Sequence, residues 1–367
     1  MARRYFPKSV QDLLWWYERF ISPLALVAGF ISDNFILLKR VDFWFTDALL
    51  FFYLVVSALC IIALNIIESG RVRNQLIVRF APFIPVVMQF SFGGLFSGYL
   101  SLYSRSASFL ASWVFVVLLA VLLLGNERFM RLYVRFSFQI SVYFGVLFSF
   151  LIFFLPIIFH QIGPKMFISS GALSLLVMTL FLMILARLVP EVVKKNKTVI
   201  ARSIAVIYIM FNILYFNNII PPLPLALKDS GVYHNVVHLT SGTYELTGEP
   251  LAWYQDYLDY NNVFHETPND RAYVYTSIFA PTGLTTIVQD QWQYYDPAAR
   301  KWTTTDTIAY EITGGRDAGY EGYTYKGYLT PGDWRVNVLT QYGQIIGRVA
   351  FTVVPVSAPV STVVTDK

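Results

Sequence analysis

The strongest constraint on this chain is a change of pattern near Tyr215, where long apolar stretches end and a polar, strand-patterned sequence begins. A helix that crosses a bilayer needs roughly 20 apolar residues, and seven stretches before this point approach that length. We therefore predict a membrane all-α bundle of about seven transmembrane helices over residues 20–220. The candidate spans are residues 20–38, 46–67, 80–103, 107–124, 136–159, 167–188 and 199–219. Asp33 and Asn34 interrupt the first, and without it the count falls to six.

Composition indicates a membrane protein for the first part of the chain and a water-soluble domain for the rest. Hydrophobic residues make up 56% of the sequence and charged residues only 14%, whereas charged residues are about a quarter of an ordinary soluble protein. After Leu227 the chain holds nine Lys and Arg against 15 Asp and Glu, a net charge of −6, and the preceding part carries +11. The basic residues lie in short loops between apolar spans, so we expect no nucleic-acid partner.

These basic residues also predict the side of the membrane that each loop occupies, because cytoplasmic loops are enriched in Lys and Arg. With the N-terminus in the cytoplasm, 15 basic residues fall on the inner side and only Lys39, Arg40, Arg105 and Lys165 on the outer side. We therefore expect the C-terminal domain outside the cytoplasm. Residues 1–19 are predicted to be a cytoplasmic interfacial segment, whose aromatic residues lie at headgroup depth among membrane lipids.

The C-terminal part carries the pattern of an all-β domain. A proline-rich spacer, residues 221–227, precedes it, and residues 357–367 are predicted to be a flexible tail. Between them, residues 228–356 hold short runs rich in Val, Thr, Tyr and Trp, separated by turn signals, which predicts an immunoglobulin-like β-sandwich. Trp334, Val336 and Val338 alternate with Arg335, Asn337 and Leu339 and are expected in its core. The clear strands are residues 272–280, 285–295, 302–312, 320–329, 334–340 and 345–354.

Three strings in this domain carry a family resemblance. They are GGRDAGYEGYTYK at residues 314–326, PGDWRV at 331–336 and GQIIGR at 343–348. Together they resemble the bacterial "domain of unknown function 2914" family (DUF2914) over roughly the last 100 residues. The membrane part is similar to the N-terminal region of such proteins at residues 29–33, 96–97 and 104–106. The resemblance implies an inner-membrane protein of a Gram-negative bacterium with a periplasmic domain, and it supplies no activity and no catalytic residues.

The membrane part offers one candidate ligand site near the outer leaflet. Asp33 and Asn34 lie toward the outer end of the first span, and Tyr99, Ser101 and Arg105 toward the outer end of the third. Ionisable groups inside a membrane are costly and normally face a partner or a cavity. Asp33 and Arg105 are therefore either a structural ion pair or part of a site for a lipid headgroup or small anion.

The third span also contains a GxxxG pattern formed by Gly94 and Gly98. Small residues at this spacing allow helix backbones to approach closely. Packing inside the bundle is the default interpretation, and an oligomer formed through these two glycines is the alternative.

The outer domain has few candidates for chemistry and one for binding. His234 and His238 would share one face, but no other ligand pattern accompanies them, so we predict no metal site and no cofactor. Motifs for serine hydrolases, phosphate-binding loops and dinucleotide binding are missing, and no catalytic residue is assigned. Arg316 and Asp317 at a glycine turn, with Tyr323 and Tyr325 on the following strand, form a candidate contact surface for protein or glycan.

Three functions remain open from the sequence. The leading hypothesis is a non-enzymatic inner-membrane protein whose periplasmic sandwich binds an envelope component, either protein or glycan. The alternative is a transporter or lipid-translocating protein that uses the polar site near Asp33 and Arg105, with the outer domain as its lid. A membrane-embedded enzyme acting on lipid-linked substrates is the third, and no motif supports it.

Overall fold

The computed structural model describes residues 44–72, 74–106, 109–126, 132–250, 263–268, 270–316 and 319–367. The chain forms two compact units, one of helices and one of strands. The second unit runs from Pro221 onward, and it also includes Phe159–Gly163, the connection between two of the helices. Ile162 of this connection packs against the hydrophobic core of the strand unit.

The helical unit contains seven described α-helices, including one short helix that precedes a 3-10 turn at Ala81–Phe83. They are α1 (Trp44–Glu68), α2 (Gln75–Phe80), α3 (Ile84–Ser106), α4 (Phe109–Gly125), α5 (Phe136–Phe159), α6 (Pro164–Leu188) and α7 (Pro190–Phe216).

Five helical stretches among the described residues are long and apolar enough to cross a membrane, and Val116–Gly125 is a shorter apolar helix. These six elements match the second to the seventh predicted spans. The count of seven is thus not reached by the described residues, and the span predicted at 20–38 lies outside them. The helical N-terminal half agrees with the prediction, and the apolar helices are compatible with a membrane protein.

A buried network of uncharged polar side chains crosses the helical unit. Asn65 Nδ2 donates to Gln139 Oε1 (2.7 Å), and Gln139 Nε2 donates to the Tyr133 carbonyl (2.6 Å). The Tyr133 hydroxyl donates to Asn126 Oδ1, and Asn126 Nδ2 donates to the Gln89 carbonyl (2.9 Å). Since isolated Asn and Gln residues carry no periodic signal in an apolar span, the sequence pattern did not indicate this network.

Gly94 and Gly98 of the GxxxG pattern both lie inside the helical unit, and an oligomer formed through them stays a prediction. A Cβ at Gly94 would lie 2.6 Å from Tyr53 Cε2 of α1, so this glycine permits close packing of α3 on α1. Gly98 is buried. The GxxxG pattern therefore serves packing inside the bundle, which was the default interpretation.

The second unit is built from eleven described strands. They are β1 (Ala226–Tyr233), β2 (Asn235–His238), β3 (Tyr244–Gly248), β4 (Val263–Glu266), β5 (Arg271–Phe279), β6 (Thr285–Asp296), β7 (Lys301–Thr313), β8 (Tyr320–Gly327), β9 (Gly332–Thr340), β10 (Ile345–Pro355) and β11 (Val363–Asp366). Six of them, β5 to β10, coincide with the six predicted strands, and every strand end agrees to within two residues.

These strands form three sheets. Sheet I has the order β1-β5-β8, sheet II β4-β10-β9-β6-β7, and sheet III β11-β3-β2. Sheets I and II share one hydrophobic core, in which Val274 of sheet I lies with Trp292, Trp334 and Val336 of sheet II. The alternation that predicted Trp334, Val336 and Val338 as core residues is confirmed, since all three are buried.

The immunoglobulin-like arrangement is not what the strands form. Strand β4 pairs with β10 in parallel, and sheet III adds a layer beyond the two packed sheets. An immunoglobulin sandwich has two antiparallel sheets only. Residues 251–262, between β3 and β4, lie outside the described residues.

The chain end also differs from its prediction as a flexible tail. Residues Val363–Asp366 form β11, which pairs with β3 from Gly248 to Glu245. Lys367 Nζ lies 2.5 Å from Asp229 Oδ2 of β1. Short polar runs with Val and Thr pair well only if a strand edge is available, and the sequence alone does not show that β3 provides one.

Asp290 is a carboxylate buried in the core between sheets I and II. Burial raises the pKa of Asp290 to about 6, although hydrogen bonds from Thr324 and Tyr310 oppose the shift. Thr324 Oγ1 donates to Asp290 Oδ2 (2.9 Å) and accepts from Trp292 Nε1 (3.2 Å). The core of the strand unit thus contains a group that titrates near neutral pH.

Candidate functional site

The predicted membrane site is only partly visible in the structure. Asp33 and Asn34 lie outside the described residues, and of Arg105 only the backbone, in α3, is described. Tyr99 and Ser101 are both buried, and the Tyr99 hydroxyl donates to the Val146 carbonyl of α5 at 2.7 Å. Two residues apart on a helix, their side chains point in different directions. The pair of Asp33 with Arg105 stays a prediction.

A cavity of about 210 Å³ borders Tyr99 inside the helical unit, among the described residues. Its wall is almost wholly apolar, and Ser141 and Ser149 supply its few hydroxyl groups. Gly145 also lines it, and a Cβ there would have no neighbour within 4 Å. A space of this character accepts hydrocarbon better than a charged headgroup.

The strongest candidate site in the strand unit is a row of four tyrosines, Tyr244, Tyr273, Tyr323 and Tyr325, which we call the tyrosine platform. In the antiparallel pair of β5 and β8, Tyr273 lies opposite Tyr325. The ring centroid of Tyr273 is 5.4 Å from that of Tyr325 and 5.8 Å from that of Tyr323. Tyr244 of β3 continues the row, 6.2 Å from Tyr323.

The platform lies on the outer face of sheet I because side chains alternate along a strand. Val274, between Tyr273 and Tyr275, points into the core and is fully buried. Tyr323 and Tyr325 are 37% and 50% exposed. Tyr320 packs against the core and Tyr328 is exposed beyond the strand end, so neither belongs to this surface.

Sheet III limits the platform on one side. Val236 and Leu246 of this sheet pack on Tyr275, which is buried. The Tyr275 hydroxyl donates to Glu321 Oε1 (3.1 Å), and the Tyr244 hydroxyl donates to the Glu321 carbonyl (3.3 Å). Burial, followed by the neighbouring carboxylate of Glu321, raises the pKa of Tyr275, so this phenol remains a neutral donor.

Two arginines border the same region. Arg271 of β5 places its guanidinium 5.2 Å from the Tyr325 ring centroid, an arrangement in which a cation interacts with an aromatic face. Arg316 is exposed and lies 5.6 Å from the Tyr320 ring. Burial and the neighbours Tyr320, Glu321 and Tyr323 raise the pKa of Tyr244, while Arg316 opposes the shift. Arg316 is thus electrostatically close to the platform, and Asp317 lies outside the described residues.

Tyr244, Tyr273 and Arg271 are members of this site that the sequence did not indicate. The alternation of Tyr273 and Tyr275 in β5 mirrors that of Tyr323 and Tyr325 in β8, which is a signal that could have been used. The sequence contains no comparable signal for Tyr244, because its position depends on how sheet III packs.

The histidine pair considered from the sequence is not brought together. His238 lies against the Tyr244 ring (4.7 Å between centroids), whereas His234 lies 3.2 Å from Glu249 Oε1 and 3.5 Å from Asp270 Oδ2. His265 Nδ1 lies 2.7 Å from Glu249 Oε2. Among the residues that the structure describes, no group of three or more His, Cys, Asp or Glu side chains is arranged to hold a metal ion.

Glu249 contacts both His234 and His265. Burial raises the pKa of this carboxyl, but the hydrogen bonds from the His265 backbone, His265 side chain and His234 outweigh burial and hold the pKa below its ordinary value. Glu249 follows β3 and His265 lies in β4, so the cluster ties sheet III to sheet II.

Comparison with protein families supports the resemblance seen in the sequence. Residues 285–353 match the family model described as "Protein of unknown function (DUF2914)". The match lies in the C-terminal part of the chain and runs from β6 to β10. It attaches no activity to the DUF2914 segment. No curated protein is significantly similar to the chain.

One solved structure shows a weak likeness. The alkylpurine DNA glycosylase AlkC of Pseudomonas fluorescens, bound to DNA containing an abasic site analog, covers 86% of this chain and 99% of its own length at 10% identity, with a TM-score of 0.22. The sequence-based exclusion of nucleic acid as a partner is withdrawn. At this TM-score the likeness carries no argument about what the present chain binds.

Proposed function

We propose that this protein is a multi-pass inner-membrane protein of a Gram-negative bacterium, and that its strand unit binds a glycan of the cell envelope in the periplasm. In this proposal the protein acts by binding and not by catalysis. The tyrosine platform is the observation that carries the proposal. The five long apolar helices and the excess of Lys and Arg in the loops assigned to the cytoplasm support the location.

The chemistry of the platform favours a glycan. Tyrosine offers a flat apolar ring with a hydroxyl at its edge, and it loses little conformational entropy on binding. The apolar faces of sugar rings stack on such rings, while the sugar hydroxyls bond to the phenols and to nearby cations. The successive rings of Tyr325, Tyr273 and Tyr323 are 5.4 and 5.8 Å apart, which suits consecutive sugar units of one chain.

Binding of the full-length protein in nanodiscs to purified peptidoglycan and to lipopolysaccharide tests this proposal. We expect the change Tyr325→Ala to weaken binding to one of them about tenfold, because truncating an aromatic residue that anchors a ligand typically removes more than about 1 kcal/mol. Tyr328→Ala is the matched control, since Tyr328 is 87% exposed but does not belong to the platform. Equal binding by both variants would refute the glycan site. Crosslinks from the platform to a periplasmic protein, without glycan binding, would identify a protein partner.

A second candidate function, lipid handling by the helical unit, is favoured by the apolar cavity beside Tyr99. The change Gly145→Leu would place a side chain in this cavity. If the cavity holds an acyl chain, native mass spectrometry of the purified protein should show less retained lipid for this variant than for the wild type. Unchanged lipid retention would remove this candidate.

A further inference from the structure

The outer face of sheet II carries a second cluster of polar and aromatic side chains, separate from the tyrosine platform of sheet I. In the strand register, Gln291 lies opposite Asn337, Gln293 opposite Arg335, and Asn337 opposite Arg348. These five residues share one face because their neighbours Trp292, Val336 and Val349 are buried in the core. We call Gln291, Gln293, Arg335, Asn337 and Arg348 the arginine face.

Neutral amides hold both guanidinium groups in place. Arg335 Nε donates to Gln293 Oε1, and Arg348 Nε donates to Asn337 Oδ1, each at 2.7 Å. Asn337 Nδ2 in turn donates to Gln293 Oε1 (3.1 Å), which links the two arginines through their partners. The Nε of each guanidinium is used in these hydrogen bonds. Within the described residues, its terminal nitrogens form no hydrogen bond. Those nitrogens are the part of an arginine that binds a planar or tetrahedral oxyanion.

The positive charge of this pair is not neutralised by the described residues. Neither guanidinium forms an ion pair there, whereas Lys326 pairs with Asp306 and Lys367 with Asp229. The nearby carboxylate of Asp333 instead accepts a hydrogen bond from Thr352 Oγ1 (2.8 Å). Burial, and then the charge of Arg348, lowers the pKa of Arg335 to about 10. Two partly desolvated cations that repel each other are stabilised by a bound anion.

Trp302 of β7 gives the cluster a rigid side. The Arg335 guanidinium lies 4.2 Å from the Trp302 ring centroid, and Tyr295 packs on Trp302 at 5.3 Å. An arginine stacked on an aromatic face keeps the edge of its planar fork available for hydrogen bonds. The arrangement therefore loses little side-chain entropy when an anion binds.

We propose that the arginine face is a binding site for a phosphate group. Two guanidinium forks offer more donors than the two oxygens of a carboxylate can accept, and their combined charge matches a phosphate monoester, which carries close to two negative charges at neutral pH. The phosphate belongs to a phosphorylated sugar, to a lipid headgroup, or is free inorganic phosphate. This site does not depend on the proposed glycan site, since it uses other residues on another sheet.

The test is a titration of the full-length protein in phosphatidylcholine nanodiscs, with binding measured by isothermal titration calorimetry. The probes are inorganic phosphate and glucose 1-phosphate, with glucose as the uncharged counterpart, and a third arm replaces the lipid with phosphatidic acid, whose headgroup is a phosphate monoester. For Arg335→Gln and Arg348→Gln we expect the Kd for the bound probe to rise by about tenfold, because each change removes a charge-assisted contact. Affinity should also fall as the salt concentration rises.

Arg300→Gln is the matched control, because Arg300 is exposed in the β6–β7 turn and makes the same change of net charge. Arg335→Lys keeps the charge but removes the fork, and we expect it to weaken binding as well. Hydrogen exchange of β9 and β10 shows whether each variant is folded. Binding of only one probe identifies the source of the phosphate. The proposal is overturned by binding of none of the probes, by equal binding of all variants, or by equal losses in the Arg300 control.

Discussion

Both units of this protein are rich in aromatic residues, but they expose different ones. Among the described residues, the large exposed rings of the helical unit are Phe and Trp, such as Phe51, Phe52 and Phe90, whereas those of the strand unit are tyrosines, such as Tyr323 and Tyr325. Phenylalanine tolerates hydrocarbon and tyrosine has a hydroxyl that bonds with water. This difference is what we expect if the helical unit faces lipid and the strand unit faces water.

The interiors of the two units also differ, because they bury different kinds of polar side chain. The polar network of the helical unit consists of uncharged groups, with Asn65, Gln139, Tyr133 and Asn126 bonded to one another. The strand unit buries the ionisable Asp290. A buried carboxyl is costly, and in the strand unit hydrogen bonds from Thr324 and Tyr310 to Asp290 compensate part of that cost.

The largest expected effect is a loss of stability when an exposed aliphatic residue of the helical unit is replaced by Asp. The same kind of change on the strand unit is the comparison. Leu59 of α1 is 59% exposed, and Leu59→Asp should destabilise the protein by about 3 kcal/mol if that face contacts lipid. Ile287→Asp, at an exposed position of β6, should cost less than about 1 kcal/mol. Equilibrium unfolding of the full-length variants in mixed micelles measures both. Similar costs would end the interpretation of the two surfaces as lipid-facing and water-facing.

A smaller loss of stability is expected when the polar network of the helical unit is interrupted. Asn126→Leu leaves the Tyr133 hydroxyl and the Gln89 carbonyl without this partner and should cost about 1–2 kcal/mol, the range for interhelical hydrogen bonds in membranes. Asn212→Leu serves as control, because within the described residues Asn212 bonds only to the Tyr208 carbonyl of its own helix. The same unfolding assay applies. An equal cost for the two variants would show that the network contributes nothing beyond local bonds.

The smallest effect concerns pH and the strand unit. The pKa of Asp290 is raised from 3.8 to about 6, so the folded state binds a proton more tightly than the unfolded state. Its protonation stabilises the fold fully below pH 3.8, and this stabilisation is lost as the pH rises through about 6.

The wild type should therefore lose about 1 kcal/mol of this contribution between pH 5 and pH 7, and Asp290→Asn should lack it. Urea unfolding followed by tryptophan fluorescence at the two pH values measures the difference. Only the difference between wild type and variant is diagnostic, because the variant controls for every other pH-dependent contribution. A parallel pH dependence of the two proteins would contradict the shifted pKa.

The sequence predicted the elements of each unit better than their arrangement. Six strands and the inward direction of Trp334, Val336 and Val338 followed from alternation, because a period of two directly reports which face is buried. The strand order did not follow, since the pairing of β4 with β10 and of β11 with β3 joins segments far apart in sequence. Nothing in a local pattern encodes such a pairing.

The candidate sites show the same division. Tyr323 and Tyr325 could be placed on one surface from the sequence, because they lie two residues apart on one strand. Arg335 and Arg348 could not be placed side by side, because their proximity depends on the register between β9 and β10.

The sequence by itself determined that the chain has an apolar helical part and a polar strand-rich part, because hydrophobic periodicity and composition are local properties that decide which solvent each segment can tolerate. It also determined the match to DUF2914 at residues 285–353. The tertiary structure decided which tyrosines form a continuous platform and which arginines have no counterion among the described residues. Those properties depend on contacts between strands that are distant in sequence, and such contacts form only when the sheets pack.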